Sequence, residues 1–324
     1  MKISFDFISN ERTRKVIKIT GNLLSIASIV FIVIYFVQAK VDFTFILQPG
    51  ILPTALLAGF IVSFSVYANA LAWKKNLEMF SPQKAHSADI LYIYTRANLA
   101  KYIPGNVMHF VSRNVLGSEL GLSHKQMGLS SVIEVIFQII VIIIFILILV
   151  ADSLFHSIRL AVSSGQMSFG MIIAMVAVIT AIIAAALVYL IKKHKSMHLR
   201  PKNLLFSSAY YVLFCIINSA AFALVILLTR DGTNGYSLIT LSGYYMLAWF
   251  LGFITPGAPS GLGVREYIMI VLFTPVYPQP QILALIIVMR IVTVLGDILA
   301  FLMVAAAKKI QKRKQNASIK IGGA

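Results

Sequence analysis

The sequence predicts an all-α fold: a polytopic integral membrane helical bundle of about eight spans, with one or two broken or re-entrant segments. Three observations carry this. Apolar types make up 59% of the 324 residues and charged types 12%, against about 45–50% and about 25% in soluble domains. The mean hydropathy is +0.88. The apolar residues also gather into runs near the ~20 residues that a helix needs to cross a bilayer. This composition excludes an ordinary soluble enzyme, a disordered chain and a secreted disulfide scaffold.

Residues 1–20 form a basic N-tail with Lys2, Arg12, Arg14, Lys15 and Lys18. A basic start before an apolar run imitates a signal peptide, but no convincing small-x-small cleavage site follows, so 21–37 reads as a retained first span. Further spans are expected at 51–73, 126–150, 170–191, 203–228, 237–254 and 282–307, followed by a basic C-tail at 308–324; the transmembrane domain is 21–307. The run 267–277 is too short to cross alone. It counts as the eighth span if the residues from Gly263 onward join it as a tilted helix. The alternative makes 237–254 and 263–277 two re-entrant halves, and hydropathy admits both.

Charge sets the orientation. Of the 28 Lys and Arg, 23 fall in 1–20, 74–125, 192–202 and 308–324, together with five acids. The alternate loops hold three bases (Lys40, Arg159, Arg230) and three acids (Asp42, Asp152, Asp231). The positive-inside rule then puts both termini in the cytoplasm, in a cell (inner or plasma) membrane. That requires an even number of crossings. The net +17 therefore reports orientation and contact with anionic inner-leaflet lipids, and no nucleic acid partner is expected.

Five charges remain in apolar surroundings: Glu134, Arg265, Glu266, Arg290 and Asp297. A charge at the bilayer centre costs at least about 2.5–3.5 kcal/mol, so those that persist mark a pathway, a site or an internal ion pair. Arg290 and Asp297 are seven apart and share a helix face with Thr293 between them.

Two segments break the helical pattern. In Lys101-Tyr102-Ile103-Pro104-Gly105-Asn106, Pro104 disfavours helix at Ile103 and Gly105 permits a turn. With Arg113 on the second arm, 90–116 reads as a re-entrant hairpin or an interfacial helix pair; a surface amphipathic helix ending at the proline is the alternative. The second break carries Pro256, Gly257, Pro259, Gly261 and Gly263, two Pro and three Gly in eight residues. It ends one helix and starts another near Val264, whose N-terminal amides beside Arg265 favour an anion. Discontinuous helices of this kind build midplane sites in transporters, and a structural tight turn is the alternative. The segment has no GxxxxGK[ST] pattern and is not a nucleotide loop.

No metal or cofactor is expected. Cys215 is the single cysteine, and the six His lack HExxH spacing. His194 and His198 are four apart but sit among five Lys and Arg, which repel a cation.

Lys101-Tyr-Ile-Pro-Gly105, Glu134 in an apolar helix, Pro256-Gly257 with Gly261-Leu-Gly-Val-Arg-Glu266, and Arg290 in the last helix together resemble the integral-membrane flippase-like family. This is the transmembrane region of lysylphosphatidylglycerol synthase, the multiple peptide resistance factor. The resemblance covers nearly the whole chain in the same order. In that family the glutamate is often followed by Arg, whereas Val135 follows Glu134 here. The chain ends about 17 residues past its last expected span, so the family's soluble lysyl-transfer domain is not expected.

The resemblance implies a lipid flippase or transporter. Its substrate would be an anionic phospholipid or a polyprenyl-phosphate-linked glycan, in envelope polysaccharide or lipid biosynthesis. Glycosyltransferases and a second copy of the chain are the protein partners it points to. Lys101, Arg113, Arg265 and Arg290 would bind the phosphate, with Glu134 and Glu266 balancing them or carrying a coupling proton. Two rivals stand beside it. One is a membrane-embedded transferase using a lipid-linked donor, with Glu134, Glu266 or His109 as acid or base. The other is a non-transporting scaffold in which the buried charges are structural.

Overall fold

The computed structural model describes residues 50–80, 86–102, 107–118, 121–151, 201–229, 235–255 and 259–322. The N-tail, the spans expected at 21–37 and 170–191, and Pro104, Gly105, Pro256 and Gly257 lie outside the described residues. The described residues form α1 (Ile51–Leu77), α2 (Ser87–Asn98), α3 (Met108–Ser118), α4 (His124–Leu149), α5 (Pro201–Thr229), α6 (Leu238–Ile254), α7 (Val264–Phe273) and α8 (Gln279–Gly322). Short 3₁₀ turns follow α2 (Leu99–Tyr102) and precede α7 (Pro259–Gly261). Every regular element among them is helical, as hydrocarbon demands of a single segment that must satisfy its own backbone.

Four helices, α1, α4, α5 and α8, are long and apolar enough to cross a membrane. At 1.5 Å per residue each is ~39 Å or longer, against ~30 Å of hydrocarbon. α1 is the hub and packs against α2, α4, α5 and α8. Its buried face is rich in Ala55, Ala58, Gly59, Ser63, Ala68, Ala70 and Ala72, and small residues let helix backbones approach closely in lipid. Where α1 meets α8, a Cβ on Gly296 would stand 3.0 Å from the Gly59 carbonyl oxygen and 2.8 Å from Val62 Cγ1.

α8 runs on through the basic segment expected as a separate tail. Lys308 to Lys314 is rich in good helix formers, and no Pro or Gly interrupts before Gly322.

α6 has 17 residues and α7 only 10, ~25 Å and ~15 Å. α7 ends at Phe273 and the chain turns before Gln279. That length fits the half-helix alternative and not a tilted full crossing. α6 and α7 pack side by side across the 3₁₀ turn.

α2 and α3 pack together as a helical hairpin, and α3 lies on α4. On α3, Arg113 is buried, while Val111 and Val115, with Val107 just before the helix, point outward at 46%, 54% and 54% exposure. A helix lying on a water-exposed surface would show the reverse. On α3 the valines thus face outward and the arginine faces the interior, an orientation that a hairpin arm and a helix lying on the membrane surface share. Leu52, Leu56, Phe60 and Phe64 make a similar outward stripe on α1.

Candidate functional site

The three carboxylates expected in apolar surroundings are all buried within the bundle, and each is held by a cation. Glu134 on α4 and Arg113 on α3 are both about 2% exposed and pair at 2.5 Å between Oε2 and Nη1. Tyr94 Oη donates to Glu134 Oε1 at 2.8 Å. The Arg113 guanidinium is caged by Tyr94, Phe110 and Trp73, with ring centroids at 4.5, 4.8 and 5.2 Å. Trp73 is fixed in turn by its Nε1 donating to Ser130 Oγ at 2.9 Å.

Asp297 on α8 is the second anchor. It accepts from Asn98 Nδ2 at 2.7 Å, from Lys101 Nζ at 2.7 Å and from the Tyr102 hydroxyl. The end of the α2 hairpin arm is thus tied to α8. The same 3₁₀ turn (Leu99–Tyr102) touches the turn Pro259–Gly261, so the two flanks of the sequence breaks meet in space.

Glu266 is the third. Its Oε2 accepts from the Gly263 backbone N–H at 2.7 Å, and its Oε1 accepts from Arg290. Arg290 Nη1 also donates to the Ser260 carbonyl at 3.1 Å. The expected anion at the start of α7 is therefore, at the first amide, the chain's own Glu266. The glycines have a steric cause as well. Gly261 has φ +70° and a Cβ there would stand 2.8 Å from Gly252 Cα on α6, so only glycine fits this close crossing.

Arg265 stands apart. It is 4% exposed. Among the described residues no carboxylate lies within ion-pair distance of it. It donates to the neutral Tyr245 hydroxyl and stacks 4.8 Å from that ring.

These groups surround one cavity with about 90 Å³ open to water centres, room for several waters when one needs roughly 10–15 Å³. All eight helices contribute to its wall. Lys101, Glu134, Arg265 and Asp297 line it, as do Tyr94, Asn98, His109, Ser260 and Thr293. Thr293 faces in as expected, its hydroxyl donating to Met289 O at 2.7 Å. Asn69, Gln138 and Asn218 add polar side chains from α1, α4 and α5, and Trp249 and Phe253 add an apolar wall from α6. Asn69 Oδ1, His109 Nδ1 and Arg113 Nη2 are buried with no hydrogen-bond partner. Buried polar atoms are seldom left so unless water or a ligand completes them.

Of the expected residues, Lys101, Glu134, Arg265 and Asp297 thus line one cavity, Tyr102, Arg113 and Arg290 bind residues of its wall, and Glu266 binds Arg290 behind them, while Gly261 and Gly263 shape the turn beside it. Sequence reasoning missed Asn69, Tyr94, Asn98, Gln138, Asn218 and Tyr245. The amides had a legible signal, since Asn69, Gln138 and Asn218 each interrupt an expected span at a cost only a polar interior offsets. Among the described residues no group of three or more His, Cys, Asp or Glu is placed to hold a metal. Comparison with models of known protein families, with curated proteins and with solved structures gives no match.

Proposed function

We propose that this membrane protein moves a lipid with a phosphate-bearing headgroup between leaflets, the headgroup passing through the bundle and the tails staying in the surrounding hydrocarbon. The substrate class is an anionic phospholipid or a polyprenyl-phosphate-linked glycan of the cell envelope. The single observation that supports this most is the polar, charge-lined cavity to which all eight described helices contribute. A polar headgroup meets several kcal/mol of unfavourable transfer in hydrocarbon, and a wall carrying charges and unpartnered polar atoms lowers that barrier. The resemblance to the flippase-like family agrees with this reading.

The engagement of the acids weighs against the transferase alternative. Glu134, Glu266 and Asp297 each hold a cation and at least one further donor, which leaves no carboxylate poised as a general base and His109, with Nδ1 unpartnered at the cavity wall, as the one acid or base that reading named and still has. Reconstitution of the purified protein in liposomes with labelled phospholipids and labelled polyprenyl phosphates tests the proposal. Faster transbilayer exchange than in protein-free liposomes is expected for at least one of them; equal rates for all would overturn it.

A further inference from the structure

We infer that the cavity takes one singly charged phosphate ester, held by Arg265, and disfavours headgroups with two negative charges such as diphosphates. This rests on the lipid-handling reading above and adds the charge class of the substrate. The described interior holds four cations, Lys101, Arg113, Arg265 and Arg290, and three carboxylates. Asp297 is matched by Lys101, Glu134 by Arg113 and Glu266 by Arg290. One positive charge is left, on Arg265.

That surplus is permanent, because an arginine in a protein does not lose its proton. A buried ion without a counter-charge is unfavourable, and the Tyr245 ring and hydroxyl offset only part of this. One negative charge entering the cavity neutralises the interior. A second recreates the imbalance with opposite sign.

The geometry suits a phosphodiester. Arg265 lines the cavity, and the guanidinium fork matches two unesterified phosphate oxygens. His109 and Asn69 line the same space with Nδ1 and Oδ1 unpartnered. With its proton on Nδ1, His109 donates to the phosphate, while Asn69 Oδ1 accepts from a headgroup hydroxyl.

The test uses the purified full-length protein in neutral detergent, with lipid binding read by native mass spectrometry. The probes are phosphatidylglycerol, diacylglycerol diphosphate and uncharged diacylglycerol with the same chains. Phosphatidylglycerol is expected to bind about 10- to 100-fold more tightly than either, the range that charge-assisted hydrogen bonds supply. Arg265→Gln should erase the preference and Arg265→Lys should keep part of it. Should the Gln variant not fold, the wild-type ranking and the Lys variant still decide.

Equal binding of phosphatidylglycerol and diacylglycerol by the wild type overturns the inference, as does an unchanged preference in a folded Arg265→Gln protein. Displacement by dimethyl phosphate, a soluble monoanionic diester, supports the site and assigns it to a free anion; lack of displacement, with the preference present, assigns it to the lipid headgroup. The two readings separate cleanly. Charge-selective binding without lipid exchange in liposomes removes the transport proposal and keeps the site, and exchange without charge selectivity does the reverse.

Discussion

Arg113→Met and Glu134→Gln, made singly and together, measure how strongly the α3–α4 pair holds the hairpin in place. Both side chains are about 2% exposed, so neither can recover its hydration when its partner is lost. Removing one member of such a pair costs about 3–5 kcal/mol. In Glu134→Gln the amide oxygen still accepts from Tyr94, but Arg113 keeps its charge with only the faces of Tyr94, Phe110 and Trp73 to offset it. In Arg113→Met the thioether fills the aromatic cage, but a buried carboxylate is stranded. The double variant strands neither charge and is expected within about 2 kcal/mol of the parent, against a sum of about 6–10 kcal/mol for the singles. The assay is unfolding in detergent followed by tryptophan fluorescence, with Trp73 lying 5.2 Å from the guanidinium. Losses that add, leaving the double variant about 6 kcal/mol or more below the parent, would refute the coupling and with it the reading of this pair as a buried unit.

Asp297→Asn should cost less than Glu134→Gln, about 1.5–3 kcal/mol, because the Lys101 side chain it releases is 21% exposed and can turn to water; a larger loss in the same unfolding assay would count against that ranking. Gly261→Ala should lower thermal stability far more than Gly50→Ala. Both have positive φ, but a Cβ at 261 meets backbone at 2.8 Å whereas one at 50 meets nothing within 4 Å, so the second change carries only the ~1–2 kcal/mol left-handed strain. Val111→Cys should resist a membrane-impermeant maleimide in intact vesicles, while Lys309→Cys, on an exposed stretch of α8, should react from one side. Native Cys215 is fully buried and stays silent, and labelling of Val111→Cys at the Lys309→Cys rate would place α3 in water.

The helical class and the long spans were legible because hydrocarbon leaves so few options: a run of 20 apolar residues has to be a helix, and α1, α4, α5 and α8 start or end within a few residues of where hydropathy puts them, save for the basic end of α8. The broken segments were legible as breaks, since Pro and Gly act locally. Their depth was not. The α2–α3 hairpin is only moderately apolar, and its Arg96, Lys101 and Arg113 read as cytoplasmic charge. Nothing local says that Arg113 meets a carboxylate 21 residues on or that Lys101 meets one nearly 200 residues on. Pairing across the bundle is a tertiary fact, and Tyr94, Asn98 and Tyr245 entered the site only through it.

That difference reverses a sign. Read along the chain, the membrane layer holds Arg265 and Arg290 against Glu134, Glu266 and Asp297, an acidic interior of net −1. Such a layer would attract a cation. The fold carries Lys101 and Arg113 inward on the hairpin, and the interior of the described residues becomes net +1. Three of its four cations then hold helices together: Arg113 ties α3 to α4, Lys101 ties the end of the α2 arm to α8, and Arg290 ties α8 to α7 and its turn. The scaffold reading accounts for most of the buried charge. It gives no role to the charge of Arg265, whose only polar partner among the described residues is the Tyr245 hydroxyl and which joins no helices by an ion pair. A buried cation that stabilises nothing by pairing is an expense to the fold, and the anion proposed to enter from outside is chemistry that would offset it.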